Sequence, residues 1–94
     1  MEAGAVNIEI KLFGFKPGEV EVPVGTTVVW TNRDNIGHSI TQGTPPDPAG
    51  AFDSGFINQG QTFSFTFSEP GDYHYFCRRH NSMTGLVRVV PASP

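Results

Sequence analysis

Residues 69–90 read Glu69-Pro70-Gly71-Asp72, then Tyr73-His74-Tyr75-Phe76-Cys77, then Arg78-Arg79-His80-Asn81-Ser82-Met83, then Thr84-Gly85-Leu86-Val87-Arg88-Val89-Val90. Pro and Gly make the first four residues a turn. The runs Tyr73 to Cys77 and Gly85 to Val90 are rich in aromatic and β-branched residues, which predicts a strand on each side of one tight loop. The same period of two recurs upstream. Val6, Ile8, Ile10 and Leu12 share one face of a strand over 6–12. Glu19 to Val22 repeats the pattern, and Pro23-Val24-Gly25 reads as a turn. Thr26 to Asn32 follows, with Val28 and Trp30 on one face, and His38 to Thr41 is short and β-prone. Gln61 to Phe67 puts Phe63, Phe65 and Phe67 on one face, most simply a core face. Residues 42–61 are rich in Gly and Pro with few apolar side chains, and predict a long connection with one short strand near Phe56-Ile57. Any helical turn is expected within 42–55. Seven or eight short strands, each with one apolar face, imply an all-β, two-sheet Greek-key sandwich.

Ninety-four residues make one domain, with a core over about 6–90 and a tail at 91–94. Six basic and nine acidic residues leave a net charge of −3, which argues against nucleic acid as a partner. No apolar run approaches the roughly 18 residues of a membrane span. Residues 1–6 lack the basic-then-apolar pattern of an export leader. A single cysteine, Cys77, excludes an intrachain disulfide, a zinc finger and an iron–sulfur cluster. A small domain without disulfides can still be tied together by a metal.

The loop carries Cys77-x2-His80-x2-Met83, and His38 lies 39 residues before the cysteine at the start of a short strand. Two imidazoles, a thiolate and a thioether are soft or borderline donors, and no carboxylate set accompanies them. That combination selects copper over magnesium or calcium. Two His and one Cys in a near-trigonal plane with a weak axial Met is the donor arrangement of an electron-transfer copper site. A tight loop between two strands aims three of these side chains at one point, while His38 approaches from a neighbouring strand. His74 alternates out of phase with Cys77 and is expected on the opposite face of its strand.

Several segments together resemble the cupredoxins, and within them the plastocyanin/amicyanin/pseudoazurin group of blue copper proteins. They are Thr31-Asn32-Arg33-Asp34 running into His38-Ser39-Ile40, Asp53-Ser54-Gly55, Pro70 to Cys77, and His80 with Met83-Thr84-Gly85. The resemblance covers about residues 6–90, and the Cys-x2-His-x2-Met loop is as short as that of the amicyanins. It implies one copper ion with His38, Cys77 and His80 as equatorial ligands and Met83 as the axial one. Gly37 stands where many relatives have Pro. Azurins, a sister group, share that Gly, which implies a Gly37 carbonyl close to the metal as a weak fifth donor. Asn81 stands where relatives often have Pro, which loosens the loop and restores a backbone N–H.

The resemblance implies a shuttle carrying single electrons between a larger donor and a larger acceptor protein. His80 is then the electron port, bordered by Ile36 and Gly37, with Cys77 and its strand as a second route. Acid is expected to raise the potential, because relatives with short loops release the second His on protonation of the Cu(I) state. A Ser39 N–H bond to the Cys77 sulfur would raise the potential as well, and Asn32 is expected to tie the ligand loops together. Asp53, Ser54 and Gly55 read as a structural turn. Residues 76–94 carry a net +3 against −6 for residues 1–75. Arg78 and Arg79 are therefore expected to form a basic rim that steers an acidic partner, unless one of them pairs inward with Asp34 or another acid. A monomer outside the cytoplasm, periplasmic or at the cell surface, completes the expectation. A copper carrier or chaperone would use the same ligands, as would the electron-relay domain of a larger redox protein. An enzyme fits less well. Three His leave no second copper centre, and a zinc hydrolase would lack a carboxylate base by the loop.

Overall fold

Alternation along the chain sorts the strands into two layers. A computed structural model describes residues 5–45, 47–80 and 82–92, and nine strands and no helix occur among them. The strands are β1 (Ala5–Lys11), β2 (Gly14–Lys16), β3 (Glu19–Pro23), β4 (Thr27–Asn32), β5 (His38–Thr44), β6 (Asp47–Ile57), β7 (Thr62–Thr66), β8 (Gly71–Phe76) and β9 (Thr84–Val90). One sheet has the order β2-β1-β4-β7 and the other β3-β9-β8-β5-β6. The β1/β4 and β3/β9 pairs are parallel and the remaining pairs antiparallel. This is an all-β sandwich, as the alternation predicts, with one strand more than the upper expectation.

Period-two burial supplies the interior. Ile8 and Ile10 of β1 and Val28 and Trp30 of β4 are fully buried in the first sheet. Ile40, Tyr75 and Val87 are fully buried in the second. Phe67 is buried, while Phe63 and Phe65 pack half-buried against the same cluster, so the three-Phe face is core. Gly85 of β9 allows the Tyr75 ring to lie directly on its backbone, where a Cβ would overlap the ring. Burial pushes the Tyr75 hydroxyl up to about 12, so it stays neutral.

Residues 42–61 differ from the expectation. Most of this stretch is β6, an eleven-residue strand pairing with β5 from His38↔Ile57 to Thr44↔Asp47. Its sequence does not alternate because β6 lies at the edge of its sheet and the pairing shifts register twice. Gly50 and Gly55 take left-handed conformations there, with φ of 94° and 65°. At an edge, backbone pairing with one neighbour suffices and Pro is tolerated. Phe52 and Ile57 are buried and anchor the strand, and the Phe52 ring centroid lies 5.0 Å from Phe65 and 5.7 Å from both Trp30 and Phe67.

Leu12 is the second correction. It does not continue the inner face of β1 but is 82% exposed. Lys11 pairs with Gly14, so Leu12 and Phe13 are the two central residues of a β1–β2 hairpin turn. Both have positive φ, 53° and 54°. Such turns match strand twist and ordinarily use Asn-Gly, and a non-glycine residue there costs about 1–2 kcal/mol. The Asp34 carboxylate offsets the strain by accepting both turn amides, from Leu12 at 2.8 Å and Phe13 at 3.1 Å. The three-residue β2 was not expected, since a run that short carries no period.

Candidate metal centre

Strand β8 ends at Phe76 and β9 begins at Thr84, so the ligand loop is the turn of a hairpin. Three backbone bonds shape it. His80 N–H donates to the Cys77 carbonyl at 3.2 Å, Met83 N–H to the His80 carbonyl at 2.8 Å, and Cys77 N–H to the Met83 carbonyl at 3.1 Å. The two-residue gaps in Cys-x2-His-x2-Met are therefore the gaps of two consecutive four-residue turns that share His80. Strand β5 pairs with β8 at Thr41↔Phe76, which brings His38, the first residue of β5, beside Cys77.

The Cys77 sulfur lies 3.7 Å from His38 Nδ1 and 3.8 Å from His80 Nδ1, and the three donor atoms sit within 4.8 Å of one another. A metal about 2.0 Å from nitrogen and 2.3 Å from sulfur, in a trigonal plane, separates the two by roughly 3.7 Å. One ion thus fits both imidazoles and the thiolate. Cys77 and His38 are fully buried, Met83 is buried in the loop, and His80 is half-buried. Burial excludes water from a soft donor set that suits copper.

A family model described as copper binding proteins of the plastocyanin/azurin family matches residues 2–90. The chain belongs to that family. It is 31% identical to amicyanin-alpha of Methylorubrum extorquens, over 93% of this chain and 73% of the relative. It is 33% identical to amicyanin of Paracoccus denitrificans, over 92% of this chain and 66% of the relative. Among solved structures, a purple cupredoxin from Nitrosopumilus maritimus matches with a TM-score of 0.83 at 34% identity, over 90% of this chain and 99% of that one.

Around the His38, Cys77 and His80 cluster of this plastocyanin/azurin family member, two hydrogen-bond systems hold the side chains in place. On the thiolate side, Ser39 N–H donates to the Cys77 sulfur at 3.4 Å. The Ser39 hydroxyl accepts Arg78 N–H at 2.9 Å and lies 3.0 Å from the Thr41 hydroxyl. The Thr41 hydroxyl in turn donates to Asp53 at 3.1 Å. Asp53 also accepts the Gly55 N–H at 3.0 Å and the Arg78 Nε–H at 3.1 Å. Asp53 is thus more than a turn residue, since it joins β6 to the start of the ligand loop. Arg78 pairs inward with Asp53 and not with Asp34.

On the imidazole side, the buried Asn32 amide donates to the Ile36 and Ile57 carbonyls, each at 2.9 Å, and its oxygen accepts Asp34 N–H at 2.9 Å. Asp34 Oδ2 lies 2.8 Å from His38 Nε2, the ring nitrogen turned away from Cys77. A carboxylate therefore does reach the cluster, though one already engaged by three partners. The sequence pattern did not single out this role. The available signal was the four-residue gap from Asp34 to His38 within a polar loop.

The rim is more apolar than the charge pattern suggests. Leu12, Phe13 and Phe56 are its large exposed apolar side chains, at 82%, 54% and 50%. The Phe13 ring stands edge-on to both His80, at 5.2 Å, and His38, at 5.6 Å. Ile36 and Gly37 are half-buried, and Gly37 packs beside Phe56. Exposed Arg79 lies over the Phe56 ring, 5.0 Å from its centroid. Asp53 faces Arg78, so Arg79 carries the basic character of the rim. His74 is exposed, as its phase predicts, and Asn81 lies outside the described residues.

Burial alone would raise the carboxyl pKa of Asp34, but the Phe13 N–H, His38 and Leu12 N–H outweigh it and hold the group below its ordinary value. Asp53 behaves likewise: burial is opposed by the Gly55 N–H, Arg78 and Thr41, and the net direction is down. A folded pKa below the unfolded one gives stability that is present above the unfolded value of about 4 and is lost as pH falls through the folded value. The metal-free protein is expected to lose denaturant resistance below about pH 4. Asp53→Asn should flatten that loss, measured as the guanidinium midpoint against pH. An unchanged slope in the variant would remove Asp53 from the account.

Proposed function

We propose that this chain carries single electrons on one copper ion held by His38, Cys77 and His80, with Met83 as the weak axial donor and the Gly37 carbonyl as a weak fifth. The observation that carries the reading is the buried Cys77 sulfur at 3.7 and 3.8 Å from two imidazole Nδ1 atoms. Family membership adds copper as the metal. Bound copper supplies the Cu(I)/Cu(II) couple.

The protein's own part is to hold the donors still. Cys77 and His80 are laced into consecutive turns, His38 begins a central strand, and the sandwich resists rearrangement. A ligand frame that cannot relax between oxidation states keeps the barrier to transfer low. The Ser39 N–H withdraws charge from the thiolate and raises the potential. His80, half-buried between Phe13 and the loop, is the exit for the electron. The surrounding Leu12, Phe13, Ile36 and Phe56 suit an apolar docking face, and Arg79 favours partners with an acidic group at that place. Donor and acceptor are larger redox proteins, and the protein works outside the cytoplasm. A metal carrier would use the same donors, yet full burial of Cys77 and His38 argues against ready exchange.

The test is the visible and EPR spectrum after addition of Cu(II). The expected result is an intense thiolate-to-copper band with narrow hyperfine splitting, bleached by a mild reductant and restored by an oxidant. An ordinary pale Cu(II) spectrum would mean that Cys77 does not ligate, and the reading would fall.

A further inference from the structure

We propose that Asp34 is a positioning residue of the copper centre, one carboxylate that both orients His38 and clamps the hairpin turn laying Phe13 over the two imidazoles. Its two oxygens serve three groups. Oδ1 accepts Leu12 N–H at 2.8 Å, while Oδ2 accepts Phe13 N–H at 3.1 Å and lies 2.8 Å from His38 Nε2. The Asp34 side chain is 13% exposed and that of His38 is fully buried, so water does not compete freely for these bonds. Asn32 fixes Asp34 in turn, by accepting its N–H and holding the Ile36 and Ile57 carbonyls.

The chemistry follows from which ring nitrogen holds the proton. A carboxylate against Nε2 keeps the proton there and leaves the Nδ1 lone pair facing Cys77 and His80. It also makes the imidazole more basic, which favours the more highly charged Cu(II) over Cu(I). The same group stabilises two adjacent left-handed non-glycine residues. The tip of the proposed docking face and the first ligand therefore share one anchor. Asp34 acts through His38 and the turn and does not itself ligate. The proposal rests on the electron-transfer reading for its redox consequence alone, because the ring tautomer and the turn can be measured in metal-free protein.

The experiment compares wild type, Asp34→Ala and the double variant Leu12→Asn/Asp34→Ala. Leu12→Asn suits the left-handed position and repairs the turn without restoring the carboxylate. In metal-free wild type, nitrogen-15 NMR should show His38 as a single Nε2–H tautomer, with the Leu12 and Phe13 amides protected from exchange. Asp34→Ala should give a tautomer mixture and lose that protection. Chelator competition should show Cu(II) affinity falling ten- to a hundredfold while Cu(I) affinity falls less than threefold. The potential then rises by about 59 mV per tenfold difference. The double variant should regain turn protection but neither the tautomer nor the potential. If Asp34→Ala fails to fold, the double variant carries the same comparison. A single unchanged tautomer without the carboxylate, or a potential restored by Leu12→Asn, would overturn the proposal. Failure of the wild-type charge-transfer band would strike the electron-transfer reading and leave the tautomer result standing.

Discussion

Cys77→Ser is expected to abolish the intense charge-transfer band and reversible redox cycling while leaving the sandwich intact. The hydroxyl is close in size to the thiol, so the packing around a fully buried position changes little. The donor chemistry changes completely. A serine hydroxyl is a hard, protonated oxygen that offers neither the soft thiolate nor its charge-transfer transition. Cu(II) affinity should fall by more than about a hundredfold, since loss of a mere outer-shell partner already costs 10–100-fold. Equilibrium titration with the absorption spectrum checks both. A variant that kept the band would show that the sulfur is not a ligand.

Phe52→Ala carries the largest expected loss of stability, about 3–5 kcal/mol. Phe52 and Ile57 bring β6 into the core, and the Phe52 ring meets Trp30, Phe63, Phe65, Phe67 and Tyr75. Removing it leaves a cavity walled by rigid rings that cannot collapse inward. A domain of this size is stable by only about 5–15 kcal/mol in total, so the guanidinium midpoint of the metal-free protein should drop by a large fraction of its value. Strand β6 also carries Asp53, which reaches Arg78 and Thr41. Copper affinity should therefore fall together with stability. A shift below about 1 kcal/mol would mean that β6 is held without the Phe52 ring.

Trp30, Phe63 and the aliphatic strands were legible in the sequence because a residue every second position must face the interior of a sandwich. The candidate donors were legible for a related reason. Cys77, His80 and Met83 fall within seven residues, and two four-residue turns sharing His80 are a local structure that spacing alone describes. With His38, these residue types fix the chemistry before any distance is known, because softness belongs to the donor atom and not to the fold.

What only the tertiary structure decided lies in contacts between segments distant along the chain. An edge strand such as β6 is held by backbone bonds to β5, and those leave no period in its side chains. Leu12 continued the alternation of β1 perfectly, yet the hairpin turned it outward because Asp34, 22 residues away, stabilises a backbone that leucine does not choose. Arg78 could pair with several acids by composition, and the register of β5 against β6 and β8 selected Asp53. The placement of Asp34 against His38 Nε2 depends on where Asn32 anchors the loop. Local spacing determined which atoms can bind the metal. Long-range packing determined how each is oriented, what shields it, and which surface surrounds His80.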